Sequence, residues 1–256
     1  MQQRRARIVD LVLERGEATA KDLSQALAVS GATVHRDIEV LVDEKLLHRR
    51  RGVVLAPPEA QVQAILAYRL RSEMPVKIAI AQAALPYVAD ARTVLMDDST
   101  TCLPLFEERC ASGETVQIVT NYVRGARAIG GLPSAEVHML PGLYNAKLDA
   151  VFGAATIEAV SKWHADVAVF SVPAVSDGRL FHLLPDSAEI KRAMIAAART
   201  KVVLVDSSKI GRTGPHVICQ AADIDVAVVD ARAPAGEIQV LRDAGVEVVI
   251  VKEVNS

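Results

Sequence analysis

The chain has 256 residues, of which 51% are hydrophobic and 23% charged, with a net charge of −2. That composition supplies enough apolar side chain to bury a core in one large domain or two unequal ones, and it excludes a disordered chain. No apolar run approaches the roughly 18 residues of a bilayer-spanning helix, and Asp10 and Glu14 interrupt the stretch where a signal peptide would lie, so a cytoplasmic protein with no membrane partner is expected.

The first helix carries Ile8, Leu11 and Val12 on one face and ends at Gly16. Thr19 with Asp22 opens a second helix holding Leu23 and Leu27. Val29-Ser30-Gly31 breaks the pattern, and Ser30 caps a third helix with Val34, Ile38, Leu41 and Val42 at helical spacing. Leu46-Leu47-His48-Arg49 and Gly52-Val53-Val54-Leu55 then read as two short strands around a tight turn. Pro57-Pro58 marks a linker, followed by a helix over 60–71 and another starting near Pro75. Beyond it, β-branched runs at 93–96, 116–119, 137–140, 167–170, 202–205, 226–229 and 246–251 alternate with helical segments such as 187–199 and 234–244. That alternation predicts an α/β domain with a largely parallel sheet.

Two short helices, a break and a longer helix opening on small polar residues form a helix-turn-helix pattern, completed by the strand pair as a wing. Its third helix turns Val34 and Ile38 inward, leaving Ser30, Thr33, His35 and Arg36 for base edges and phosphates. Residues 1–56 hold ten Lys/Arg against eight Asp/Glu, while the rest of the chain is net acidic. The basic side chains cluster at Arg4, Arg5 and Arg7 and at Arg49, Arg50 and Arg51, a placement suited to phosphates on either side of a groove. A plain helical bundle used for dimerisation has the same periodicity.

In the second half, four loops carry polar residues at strand ends or on a helix. Met-Asp-Asp-Ser-Thr-Thr-Cys, 96–102, follows a strand and precedes a helix, an arrangement suited to an anion, with Asp97 available to sugar hydroxyls. Thr120 and Asn121 close the strand of 116–119, Lys191 lies on a helix, and Lys209 follows the strand of 202–205. Strand ends on one side of a parallel sheet converge, so Asp97, Ser99, Thr100, Thr101, Thr120, Asn121, Lys191 and Lys209 form a candidate effector site. Each fragment alone also reads as ordinary helix capping or an exposed lysine. Cys102, Cys110 and Cys219 are odd in number and lack C-x-x-C spacing, which fits a reducing compartment; no metal, cofactor or catalytic residue is expected.

The stretch Val-Ser-Gly-Ala-Thr-Val-His-Arg-Asp-Ile-Glu-Val-Leu, 29–41, resembles the helix-turn-helix signature of the DeoR family of bacterial transcriptional regulators. Val29, Ser30, Thr33, Arg36, Asp37 and Leu41 match the family pattern; His35 stands where the family usually has arginine, and the wing has only Gly52 where a glycine pair is common. Over 75–254 the chain is similar to the family's sensor domain, through Asp97, Thr100, Thr101, Thr120, Asn121, Gly142, Lys191, Arg192, Met194, Asp206, Ser207, Ser208, Lys209 and Gly211. Ser99 replaces a glycine of the first motif and Pro141 one glycine of a pair. The resemblance implies a winged helix-turn-helix over 1–56, a linker and connecting helix over 57–74, and an effector-sensing α/β domain over 75–256. It implies for that domain the fold of ribose-phosphate isomerases, glucosamine-phosphate deaminases and coenzyme A transferases. It further implies a repressor of carbohydrate genes, binding a double-stranded DNA operator and a phosphorylated sugar or related effector. One recognition helix covers only a few base pairs, so a homo-oligomer, dimer or tetramer, is expected. The rival is a sugar-phosphate isomerase or deaminase fused to a DNA-binding module, with Asp97, Glu189 or Lys191 in acid–base roles. All six histidines, His182 included, lie outside the four loops, and no base–acid pair at a defined spacing supports it.

Overall fold

The computed structural model describes residues 2–15, 17–55, 73–111, 113–146 and 148–252. The chain divides into two compact units, Met1–Met74 and Pro75–Ser256. The proline linker at 57–58, the helix expected over 60–71 and the helix stop at Gly16 fall outside the described residues.

In the first unit, α1 (Gln2–Arg15) is followed by β1 (Glu17–Thr19), α2 (Ala20–Leu27), α3 (Gly31–Asp43), β2 (His48–Arg50) and β3 (Val53–Leu55). Thr19 and Asp22 form a reciprocal capping box at the start of α2, satisfying amides that have no partner within the helix. Ser30 caps α3 by accepting from the Thr33 amide. The helices close over Ile8, Val9, Leu11, Val12, Leu23, Val34, Ile38 and Leu41, with Leu46, Leu47 and Val54 supplied by the β2–β3 region. Two differences from the sequence reading concern the sheet. Leu46 and Leu47 precede β2 and fill the core, and the hairpin gains a third strand, β1, antiparallel to β3.

The second unit opens with α4 (Met74–Ala84) and is built on a sheet of β4 (Thr93–Met96), β5 (Val116–Thr120), β6 (Ala135–Met139), β9 (Ala165–Phe170), β12 (Ala198–Val205), β14 (Val226–Asp230) and β15 (Glu247–Val251). These seven pair in the order β15-β14-β12-β9-β4-β5-β6, parallel throughout. Helices α5 (Leu103–Ala111), α6 (Val123–Ile129), α7 (Ala154–Ser161), α8 (Pro185–Ala197) and α9 (Ala235–Asp243) intervene along the chain. β14 is buried along its whole length, as expected of a parallel strand covered on both faces. The remaining strands form small antiparallel sheets: β7 (Leu143–Asn145) with β8 (Ala150–Phe152), and β10 (Ala174–Ser176) with β11 (Arg179–His182) and β13 (His216–Gln220).

The strand order positions the site. From β4 the chain builds outward through β5 and β6, then returns to the other flank of β4 with β9 and continues away through β12, β14 and β15. The order therefore reverses between β4 and β9. In open parallel sheets the crevice at the carboxyl ends of such a pair is where ligands bind, because the flanking loops diverge there.

Candidate functional site

On α3, Val34, Asp37, Ile38 and Leu41 are buried, while His35 and Arg36 are exposed. The Ser30 hydroxyl accepts the Thr33 amide at 3.2 Å and lies 2.8 Å from the Thr33 hydroxyl, so both groups are engaged at the helix start. Arg49 and Arg50 are exposed on β2, and Arg51 is exposed in the turn to β3. Arg51 and Gly52, at φ 51° and 83°, make this a two-residue hairpin with both central residues left-handed. It presents successive arginines at the tip of the wing.

Asp37 engages part of the N-terminal basic cluster. Its carboxylate is buried on the recognition helix and accepts Arg4 Nε at 2.5 Å and Arg5 Nε at 3.0 Å. Burial alone would raise its pKa, but the two guanidiniums outweigh that and hold it below the usual range. Arg4 and Arg5, two members of the basic cluster read from the sequence, are tied to Asp37 and clamp α1 to α3.

In the second unit, the loop after β4 sits at the switch point. Asp97 and Lys191 are 0% and 1% exposed, and Asp97 Oδ2 meets Lys191 Nζ at 2.5 Å. The same oxygen accepts the Ser99 hydroxyl at 2.6 Å and the Ser171 amide at 3.0 Å, while Oδ1 accepts the Ser99 amide at 3.0 Å. Ser171 directly follows β9, so this carboxylate bridges the strands between which the order reverses. Burial would push the Lys191 ammonium down; Asp97, and Asp98 at 3.5 Å, hold it above the ordinary lysine range. Removing one member of such a buried pair costs about 3–5 kcal/mol, because the survivor is left charged and desolvated.

Lys209, in the turn after β12, donates to the Thr101 and Ser171 hydroxyls, both at 3.2 Å, and meets Asp206 at 3.0 Å. From α4, the buried Lys77 donates to the Thr100 hydroxyl at 3.2 Å. The structure thus brings Asp97, Ser99, Thr100, Thr101, Lys191 and Lys209 into one network and adds Lys77, Asp98, Ser171 and Asp206. Thr120 and Asn121 stand at the end of the adjacent strand but are not bonded into it. Thr120 Oγ1 accepts the Tyr122 amide, and Asn121 Nδ2 donates to the Val151 carbonyl. Asn121 Oδ1 is buried with no hydrogen-bond partner among the described residues, as is the Ser187 hydroxyl one turn before Lys191 on α8. The Cys102 thiol, pushed well up by burial and then by Asp97, is a poor nucleophile. No group of His, Cys, Asp and Glu suited to a metal ion occurs among the described residues. A recess of about 570 Å³ opens at the opposite, N-terminal edge of the sheet, beside Arg92 and Arg109. Arg109 there donates to the Val88 and Glu114 carbonyls, which makes it a structural group.

Residues 72–231 match the DeoR C terminal sensor domain, and residues 4–59 match the DeoR-like helix-turn-helix domain. The chain belongs to the DeoR family. It is a DNA-binding transcriptional regulator of that family, with a winged helix-turn-helix and an α/β sensor domain. It is similar along almost its whole length to the transcriptional repressor GlcR of Bacillus subtilis (25% identity, 98% of this chain and 97% of that one). The glycerol-3-phosphate regulon repressor of Escherichia coli is 25% identical over 94% and 95% of the two chains. The L-fucose operon activator of Haemophilus influenzae is 25% identical over 85% and 86%. Among solved structures, ribose 5-phosphate isomerase A from Neisseria gonorrhoeae aligns with 52% of each chain at a TM-score of 0.36 and 14% identity.

Two residues of the strand-end network in this DeoR-family regulator lie outside the motifs, although the sequence carries signals for both. Lys77 falls in the stripe Lys77, Ile80, Ala81, Ala84 on the inward face of α4, and a lysine at an apolar-stripe position is a buried cation. Ser171 directly follows the strand read at 167–170, an end that topology sends to the same edge as Asp97.

Proposed function

We propose that the strand-end site binds a phosphorylated sugar or a related phosphorylated metabolite, and that its occupancy changes operator affinity. The observation that carries this reading is the meeting of Lys77, Lys191 and Lys209 around the hydroxyl-rich loop 98–101 at the sheet's switch point. Backbone amides, hydroxyls and ammonium groups are the donor set that phosphate oxygens take. The orphaned Asn121 Oδ1 is an acceptor waiting for a hydroxyl donor, which suits a sugar. The name of the glycerol-3-phosphate regulon repressor supports the same chemistry. Ser99 stands where the family has a glycine and donates its hydroxyl to Asp97, so a relative's ligand does not carry over to this chain.

On the DNA side, Ser30, Thr33, His35 and Arg36 read the major groove while Arg49, Arg50 and Arg51 hold the flanking backbone. One recognition helix covers few base pairs, so the regulator acts as a homo-oligomer on paired half-sites. Met139, Leu143 and Tyr144, exposed along one chain segment, supply apolar surface for such an assembly. The protein works in the cytoplasm and is not an enzyme. Asp97 is held by Lys191, Ser99 and Ser171, and Glu189, the other candidate acid, is exposed and paired with Arg192 at 2.5 Å. A thermal-shift panel of sugar phosphates on the purified protein tests the effector reading, because a ligand of the native state raises the melting temperature by mass action. At least one member should raise it in the parent and do so less in Lys209→Ala. A panel in which no phosphorylated compound raises it removes the reading.

A further inference from the structure

Lys77 differs from the other lysines of the site in where its helix lies along the chain. Lys191 stands on α8 and Lys209 follows β12, both well inside the sensor sequence. Lys77 stands in the first turn of α4, the element with which the sensor unit begins and the first described helix after the DNA-binding unit in the chain. Its side chain nevertheless points into the strand-end site and is 5% exposed. A buried ammonium requires acceptors. Here it donates to Thr100 Oγ1 at 3.2 Å. It also lies close enough to act on Asp206: burial would raise that carboxyl, but Lys209, the Ser208 hydroxyl and, least of these, Lys77 hold it below the usual range.

A phosphate oxygen beside Thr100 is a stronger acceptor than the hydroxyl, because a charge-assisted hydrogen bond is shorter and roughly twice as strong as one to a neutral group. We propose that Lys77 reports effector occupancy to the DNA-binding unit, its ammonium binding an anionic oxygen of the effector on loop 98–101 and thereby resetting the first turn of α4. This rests on the effector reading above and adds the residue that carries the signal. The ligand's preference for one position of Lys77 becomes a preference for one state of α4, the first described helix after the DNA-binding unit in the chain. Lys191 and Lys209 contribute affinity, whereas Lys77 contributes affinity and coupling.

Hydrogen exchange on the full-length chain tests this, with inorganic phosphate as the probe and ionic strength held constant with chloride. In the parent, saturating phosphate should change exchange across residues 78–84 several-fold. Lys77→Met should bind phosphate roughly tenfold or more weakly and show no change in that segment even at saturation. Lys77→Arg should restore the change. Lys209→Met should also bind weakly, yet at saturation still alter exchange in residues 78–84, which separates signalling from affinity. The proposal is overturned if Lys77→Met keeps the α4 response at saturation, or if Lys209→Met loses it equally. Should Lys77→Met not fold, the parent decides: saturating phosphate that leaves residues 78–84 unaltered overturns it. A parent that binds sugar phosphates without any change there overturns this inference alone; a parent that binds none overturns the effector reading with it.

Discussion

Arg36 and Asp37 are sequence neighbours on opposite faces of the third helix. Arg36 is exposed near the start of the recognition helix; Asp37, one residue on, faces inward and takes Arg4 and Arg5. Arg36→Ala should weaken binding to a duplex selected by the protein from a random pool by about 1–3 kcal/mol, roughly 5- to 150-fold, without altering the melting temperature. A gel-shift titration at fixed salt that finds parental affinity would remove Arg36 from the interface. Asp37 makes an opposite prediction, on stability. Its folded pKa lies below the ordinary aspartate value of 3.8. A depressed carboxyl contributes stability that is complete above the unfolded value and disappears as pH falls through the folded one. Asp37→Asn should therefore melt below the parent at neutral pH, with the gap closing in acid below that value. A gap independent of pH would mean that the clamp is not ionic. The Arg4–Asp37 and Arg5–Asp37 pairings were not legible in the sequence because their partners are more than thirty residues apart. Only folding shows that a basic cluster has an acid behind it.

At the scale of elements, the legible features were those decided locally. Thr19 and Ser30 announce helix starts because capping uses residues within one turn. The central strands announce themselves as continuous β-branched runs because both faces of a parallel sheet are buried. The strands that escaped, β1, β7, β8, β10, β11 and β13, are only three to five residues long, too short to show a period of two, and their pairing is set by tertiary neighbours. Of the site, loops 96–102 and 205–211 were legible as strand-end loops. Lys191 was legible only jointly with them, because nothing near it on α8 says that its ammonium is buried on Asp97. Ser30→Ala removes the α3 cap and should cost about 1 kcal/mol of stability, lowering the melting temperature and DNA affinity together. Ser30→Asp keeps the cap and suits the helix dipole, so its melting temperature should stay close to the parent's. Its charge, however, opposes phosphate, and DNA affinity should fall further than in the alanine variant. An Asp variant that binds DNA like the parent would show that this helix end does not face the nucleic acid.

For the whole molecule, the two units carry different chemistry. One has exposed arginines on its wing and a capped third helix, and the other brings three lysines together at a sheet switch point. Sedimentation of the DNA complex should show more than one protomer per duplex carrying paired half-sites, and a single protomer on one unrepeated half-site would contradict the oligomeric reading. Linkage requires that any effector that loosens DNA also binds more weakly to the DNA-bound protein by the same factor. The most direct test of the central claim is an equilibrium titration of labelled operator duplex with the full-length regulator, at constant salt, with and without each sugar phosphate that raises the melting temperature. At least one should shift the dissociation constant roughly 5- to 150-fold, the range of a coupling of about 1–3 kcal/mol. Superimposable titrations for every phosphorylated compound that binds would contradict it.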